Sequence, residues 1–125
     1  VLTEWLSECS QADYLKAWLS AFLFTQAIEV PIYLRALGGR SWRNLGLGFA
    51  ASTITHPFVW FVFPVLIKLG ADYNAYLVSA ELYAWLIEAA FMAACGLKRP
   101  VLWSLLANGA SLGIGMLSRE WFGWP

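Results

Sequence analysis

The sequence predicts an all-α polytopic membrane protein: a four-transmembrane-helix bundle forming one domain over residues 1–125. Three observations carry this expectation. Hydrophobic residues make up 60% of the chain and charged residues only 13%, against about a quarter charged in a soluble domain, and the mean hydropathy is +0.60. Four apolar stretches reach the roughly 17–25 residues a helix needs to cross ~30 Å of hydrocarbon. Inside them the polar residues recur at intervals of three, four and seven, the helical period, and not in strand alternation. A membrane barrel would need at least about eight strands.

The first span is expected over residues 15–37, with Gln26, Glu29 and Tyr33 on one face. The second, 45–69, has no formal charge between Leu45 and Ile67 and aligns Gly48, Ser52, Thr55 and His56. The third, 74–97, sets Glu81 and Glu88 two turns apart with Trp85 between them. The fourth, 101–117, is the shortest and aligns Ser104, Asn108, Ser111 and Gly115. Each helix thus has one polar stripe near its middle, and an ionised side chain in hydrocarbon costs from about 2.5 to above 10 kcal/mol. The four stripes are therefore expected to turn inward around a shared polar centre.

Prolines and small residues refine these helices. Pro31 and Pro57 remove backbone donors and free the carbonyls of Ala27 and Thr53. A freed carbonyl can help hold a cation or water, or be satisfied by a neighbouring Ser or Thr hydroxyl. Pro64 reads as a bend. Small residues at intervals of four (Ala107, Ser111 and Gly115; Gly109 and Gly113; Ala89 and Ala93; Ala90 and Ala94) read as packing ridges, because close backbone approach carries much of helix association in lipid.

Loop charge sets the orientation. Arg35 in the last turn of the first span is followed by Arg40 and Arg43, and Lys98 and Arg99 join the last two spans, with no acid in either connection. Lys16, Lys68 and Arg119 lie at the opposite end among Glu4, Glu8, Asp13, Asp72 and Glu120. By the positive-inside rule the basic loops are cytoplasmic and both termini non-cytoplasmic; the expected location is the bacterial inner membrane. Trp18, Trp121 and Trp124 at one end and Trp42 and Trp103 at the other suit headgroup anchoring, while Trp60 and Trp85 read as deeper packing residues. Residues 1–13 hold three acids and no base, so the first segment reads as a permanent span and not a secretory signal.

The two halves invite comparison as tandem helical hairpins. Glu29 precedes Ser52 by 23 positions and Glu88 precedes Asn108 by 20, the difference falling in the longer loop of the first half. A duplicated hairpin would be a parallel repeat about an axis along the membrane normal; chance likeness of apolar helices is the other reading.

Function is bounded more than named. Zero net charge and the lack of a basic block argue against nucleic acid. Two cysteines are too few for a disulfide scaffold, and this topology puts Cys9 and Cys95 at opposite surfaces. No His-Glu-x-x-His, Cys-x-x-Cys or phosphate loop is present, and no motif names a cofactor. The candidate ion- or proton-binding residues are Glu29, Glu88, His56, Asn108, Ser52, Thr55 and Ser111. The two glutamates could exchange protons, ligate a cation with His56, or be neutral structural acids bonded to Asn108, Ser52 or a carbonyl.

The first reading is a small transporter or channel for a proton or small cation, working as a homo-oligomer because four short helices leave little room for a pore. The second is a noncatalytic subunit or scaffold of a larger membrane complex, with Phe58, Trp60, Phe61 and Phe63 meeting a partner or cofactor. The third is a membrane-embedded metal-dependent enzyme using His56 and the carboxylates.

Overall fold

The computed structural model describes residues 11–125. Four long helices dominate it: α1 (Gln11–Leu37), α2 (Trp42–Phe61), α4 (Tyr73–Ala94) and α5 (Pro100–Phe122), with one turn of helix, α3 (Val65–Lys68), between α2 and α4. No strand occurs among the described residues. All four spans, the second counted over Trp42–Lys68, are long and apolar enough to cross a membrane, and the chain is an integral membrane protein of the four-helix-bundle class.

The helices form a ring in the order α1, α2, α4, α5, each packing on its two neighbours. Short connections make neighbours antiparallel. α1 and α4 therefore run in the same direction on one diagonal, and α2 and α5 run in the other direction on the second. Both basic loops come to one end, where the Arg43 guanidinium donates to the Cys95 carbonyl at 3.2 Å. The same end is stitched locally: Ser41 caps α2 by accepting from the Asn44 amide, and the Asn44 side chain donates to the carbonyls of Leu37 and Gly39. Glu4, Glu8 and Cys9 lie outside the described residues.

The expected boundaries shift where local chemistry decides them. α1 already includes Gln11 and closes on Gly38, whose φ of 87° is the left-handed conformation of a helix C-cap. α4 ends at Ala94 and not at 97, because Gly96 turns the chain with φ 90°. α5 runs through Phe122, past the expected 117: Ser118, Arg119 and Glu120 are polar but continue the helix beyond its apolar part.

Pro64 does more than bend. α2 stops at Phe61, and the Phe63 amide turns to the Phe58 carbonyl. Pro64 has no N–H for the carbonyl of Trp60. The two carbonyls so exposed are taken by tyrosines from the flanking helices: Tyr76 donates to Val59 O at 2.9 Å, and Tyr14 donates to Trp60 O. In an apolar surrounding each unsatisfied carbonyl would cost kcal/mol, so these bonds secure the end of the broken span.

Only some of the small-residue ridges pack. Ala107 is fully buried and Ala89 nearly so. A Cβ at Gly48 would lie 3.4 Å from Tyr33 Cβ, and one at Gly115 would lie 3.6 Å from Phe24 Cε1. Gly109 and Gly113 have no neighbour there and face outward, as do Ala90, Ala93 and Ala94. The interval of four was right for each, but their faces point away from the bundle axis.

Buried positions repeat between the hairpins. Ala21, Glu29 and Tyr33 on α1 match Ala80, Glu88 and Met92 on α4, and Ala51 and Ser52 on α2 match Ala107 and Asn108 on α5. All ten are buried. This is the pattern a parallel two-hairpin repeat would leave.

Candidate functional site

Glu29 and Glu88 face the bundle axis from diagonal helices, each about 1% exposed. Glu29 accepts from Ser111 Oγ at 2.6 Å and from Ser52 Oγ. Glu88 accepts from Thr55 Oγ1 at 2.7 Å, Tyr33 Oη at 2.7 Å and Asn108 Nδ2 at 2.9 Å. The bonds cross the bundle in a regular way. Each carboxyl is bonded by one partner from its own hairpin (Ser52 for Glu29, Asn108 for Glu88) and one from the other (Ser111 and Thr55). Aligning Ser52 with Asn108 aligns Thr55 with Ser111, so exchanging the hairpins maps one cradle onto the other. Tyr33 breaks the likeness, because its counterpart Met92 offers no donor.

The helical period explains the convergence. Ser52 and Thr55 are three apart on α2 and Asn108 and Ser111 three apart on α5, so each pair presents two polar groups one turn apart to the same axis. Asn108 is further held by Ser104, whose carbonyl accepts from Nδ2 at 3.0 Å. Ser104 Oγ in turn donates to the Trp85 carbonyl at 2.8 Å, and Trp85 Nε1 donates to Val101 O at 2.9 Å, tying α5 to α4. Gln26 stands outside the carboxylate cradles and links α1 to α2 through Phe49 O and Thr53 Oγ1.

Six of the seven expected site residues come together in these cradles. His56 does not. It follows Thr55 by one residue, hence about 100° around the helix, and turns toward α1. Its ring packs against Phe22 and Trp60 and also lies near Trp18. Nε2 lies 3.4 Å from Thr25 Oγ1, while Nδ1 is buried without a hydrogen-bond partner among the described residues. No group of three His, Cys, Asp or Glu side chains among those residues is arranged to hold a metal ion. The string Gly109-Ala110-Ser111-Leu112-Gly113 has the form of a nucleophile elbow, but it lies within unbroken α5. The strand-to-helix turn that exposes such a serine is missing.

A cavity of about 420 Å³ leads to the cradles. Tyr14, Tyr73 and Arg119, at the end of the bundle away from the basic loops, form its mouth. Glu81 stands part-way along, His56 and Trp60 form one wall, and Glu29, Glu88 and Asn108 line the inner end. Beyond them the bundle closes on a buried cluster of Tyr33, Ala51, Met92, Leu97 and Ala107. The glutamates are thus not central in depth. Glu29 precedes the end of α1 by eight residues and Glu88 the end of α4 by six, about 12 and 9 Å of helix. The seal toward the basic-loop end is about two turns thick.

Tyr33 is the site residue that sequence reasoning left without a role. Its position four after Glu29 puts it on the polar stripe, but its bond goes to the glutamate of the opposite helix, which only the packing decides. The aromatic residues expected to meet a partner divide: Phe58 and Phe61 are about half exposed, Phe63 packs on Tyr83, and Trp60 lines the cavity. No protein-family model matches the chain, and neither does any curated protein or solved structure.

Proposed function

We propose that this protein moves protons or small cations across a membrane, with Glu29 and Glu88 as the binding groups at the inner end of the cavity. The observation that carries the reading is the chemistry of the two cradles. Four of the five partners are hydroxyls, and a hydroxyl donates to a carboxylate or accepts from a carboxylic acid by rotating its hydrogen. A carboxyl so held can change protonation, or exchange a proton for a cation, without its neighbours moving. A purely structural acid has no need of that freedom.

A cation enters past Tyr14, Tyr73 and Arg119, is met by Glu81, and reaches the paired carboxyls. Release to the other side requires the Tyr33–Met92 seal to part. With the basic loops cytoplasmic, as the positive-inside rule expects for a bacterial inner membrane, the cavity faces outward. Ser52, Thr55, Asn108 and Ser111 hold the carboxyls in place, and His56 belongs to the wall of the access path. Homo-oligomerisation, or assembly into a larger membrane complex, is a separate proposal that native mass spectrometry reads directly.

The test is flux in proteoliposomes. Glu29→Gln and Glu88→Gln keep size and hydrogen bonding, since an amide can donate to the same hydroxyls, but cannot ionise. The expected result is loss of at least nine-tenths of the flux in each variant with melting in detergent shifted little. Unchanged flux with unchanged melting in the double variant overturns transport and favours the noncatalytic subunit reading, with the cradles as interhelical glue.

A further inference from the structure

The cavity is larger than a proton path or a single hydrated ion requires, and much of its wall is apolar and aromatic. At about 420 Å³ it falls in the range of small-molecule sites, roughly 300–1,000 Å³, where apolar and aromatic walls surround a few placed polar groups. Resting on the reading of Glu29 and Glu88 as binding groups, we infer that the cavity takes an organic ammonium ion, its cationic nitrogen at the carboxylates and its apolar body against the rings of the wall.

Two independent features of the wall point to this class. One is sign. Glu81, Glu88 and Glu29 line the path in that order from the mouth, while the only Lys or Arg among the lining residues is Arg119, at the mouth. With Glu120 beside Arg119 at the mouth, an anion moving inward would still meet three further carboxylates with no compensating cation beside them. The other is surface chemistry. Tyr14, Phe24, Trp60, Tyr73 and Tyr76 contribute to the wall, with Leu77, Leu112 and Met116 between. An aromatic face attracts an ammonium group within about 6 Å, most strongly where water is excluded. A bare metal ion gains little from such walls, and no set of three ligating side chains exists for it among the described residues.

The spacing of the acids suits entry in stages. Glu81 and Glu88 are seven residues apart on α4, hence on one face and about 10 Å apart along the axis. Glu81 is only half-buried and is the first acid a cation meets inside the mouth, where Glu120 stands beside Arg119. Glu88 and Glu29 follow, so the charge on the ligand is handed from one carboxylate to the next without a long unpaired stretch.

Benzyltrimethylammonium is the probe, titrated calorimetrically into the purified protein in an uncharged maltoside detergent, with sodium chloride and 3,3-dimethylbutan-1-ol as inorganic and neutral controls. Saturable binding is expected for the ammonium ion and not for either control. Affinity should fall at least tenfold in Glu88→Gln and in Glu29→Gln. Glu81→Gln, which disturbs neither cradle, should weaken binding about threefold or more with the melting temperature unchanged. No binding to the wild-type protein, or binding indifferent to all three substitutions, overturns the inference. Carboxylate-dependent proton flux without ammonium binding would sink this inference and leave the transport reading standing. Carboxylate-dependent binding without flux of any cation would sustain the inference and remove transport.

Discussion

At the two buried carboxyls the partners differ in kind as well as number. Glu29 is held by two serine hydroxyls, whereas Glu88 has two hydroxyls and an amide, with Tyr33 reaching it from the diagonal helix. Removing the Tyr33 hydroxyl leaves Glu88 with Thr55 and Asn108 and leaves Glu29 untouched. Tyr33→Phe should therefore lower stability by about 1–3 kcal/mol, the usual cost of a buried hydrogen bond to a charged or desolvated group. Because the ring stays, the seal behind the cavity keeps its volume. Equilibrium unfolding in detergent measures the loss, and a variant as stable as the wild type would mean that Tyr33 contributes packing alone. Thr55→Val tests the neighbouring bond by the same measurement and should cost a similar amount.

Among the elements, α1 and α2 pack closely at Gly48, whose missing side chain leaves room for Tyr33 and Val30. A Cβ there meets Tyr33 Cβ at 3.4 Å and Val30 Cγ1 at 3.7 Å, so alanine is barely accommodated and leucine is not. Gly48→Leu should destabilise the bundle by at least about 2 kcal/mol, as overpacking in a tight interior does. Gly109→Leu places the same side chain where nothing lies within 4 Å and should change stability by less than about 0.5 kcal/mol. Thermal melting of the two variants side by side checks the contrast, and equal shifts would mean that the α1–α2 contact is not the tight one. The end of α2 offers a second check. Tyr76→Phe strips the hydroxyl from Val59 O, and faster hydrogen exchange at residues 59–63 should follow before any global loss of stability.

For the whole molecule, the ring of antiparallel neighbours puts both basic loops at one end and the α3 connection at the other. Single cysteines at positions 39 and 71, in a background with Cys9 and Cys95 replaced by serine, should label from opposite sides of the membrane, with position 39 reached from the cytoplasm. Labelling of both from one side would overturn the ring topology; labelling with the sides exchanged would keep the topology and reverse the orientation. The near-equivalence of the hairpins makes a related prediction. Exchanging Ser52 and Asn108 in the double variant Ser52→Asn, Asn108→Ser should be tolerated better than Ser52→Asn alone, because the total side-chain volume around the axis is conserved. Melting temperature reads the difference.

What the sequence by itself determined was the number of spans and which face of each turns inward. Those follow from composition and from the 3.6-residue period, both local properties, and Glu29, Ser52, Thr55, Glu88, Asn108 and Ser111 were legible because each lies on a polar stripe in an apolar helix. The tertiary structure decided which stripe meets which. Only packing shows that each glutamate is held by a partner from either hairpin, that Tyr33 serves the opposite helix, and that His56, one residue past Thr55, turns away toward α1. Packing also decided depth. The carboxyls lie toward the basic-loop end because α1 stops eight residues past Glu29 and α4 six past Glu88, and the cavity occupies the longer stretch on the other side. A period fixes a direction around a helix axis; it carries no information about what the neighbouring helix presents there.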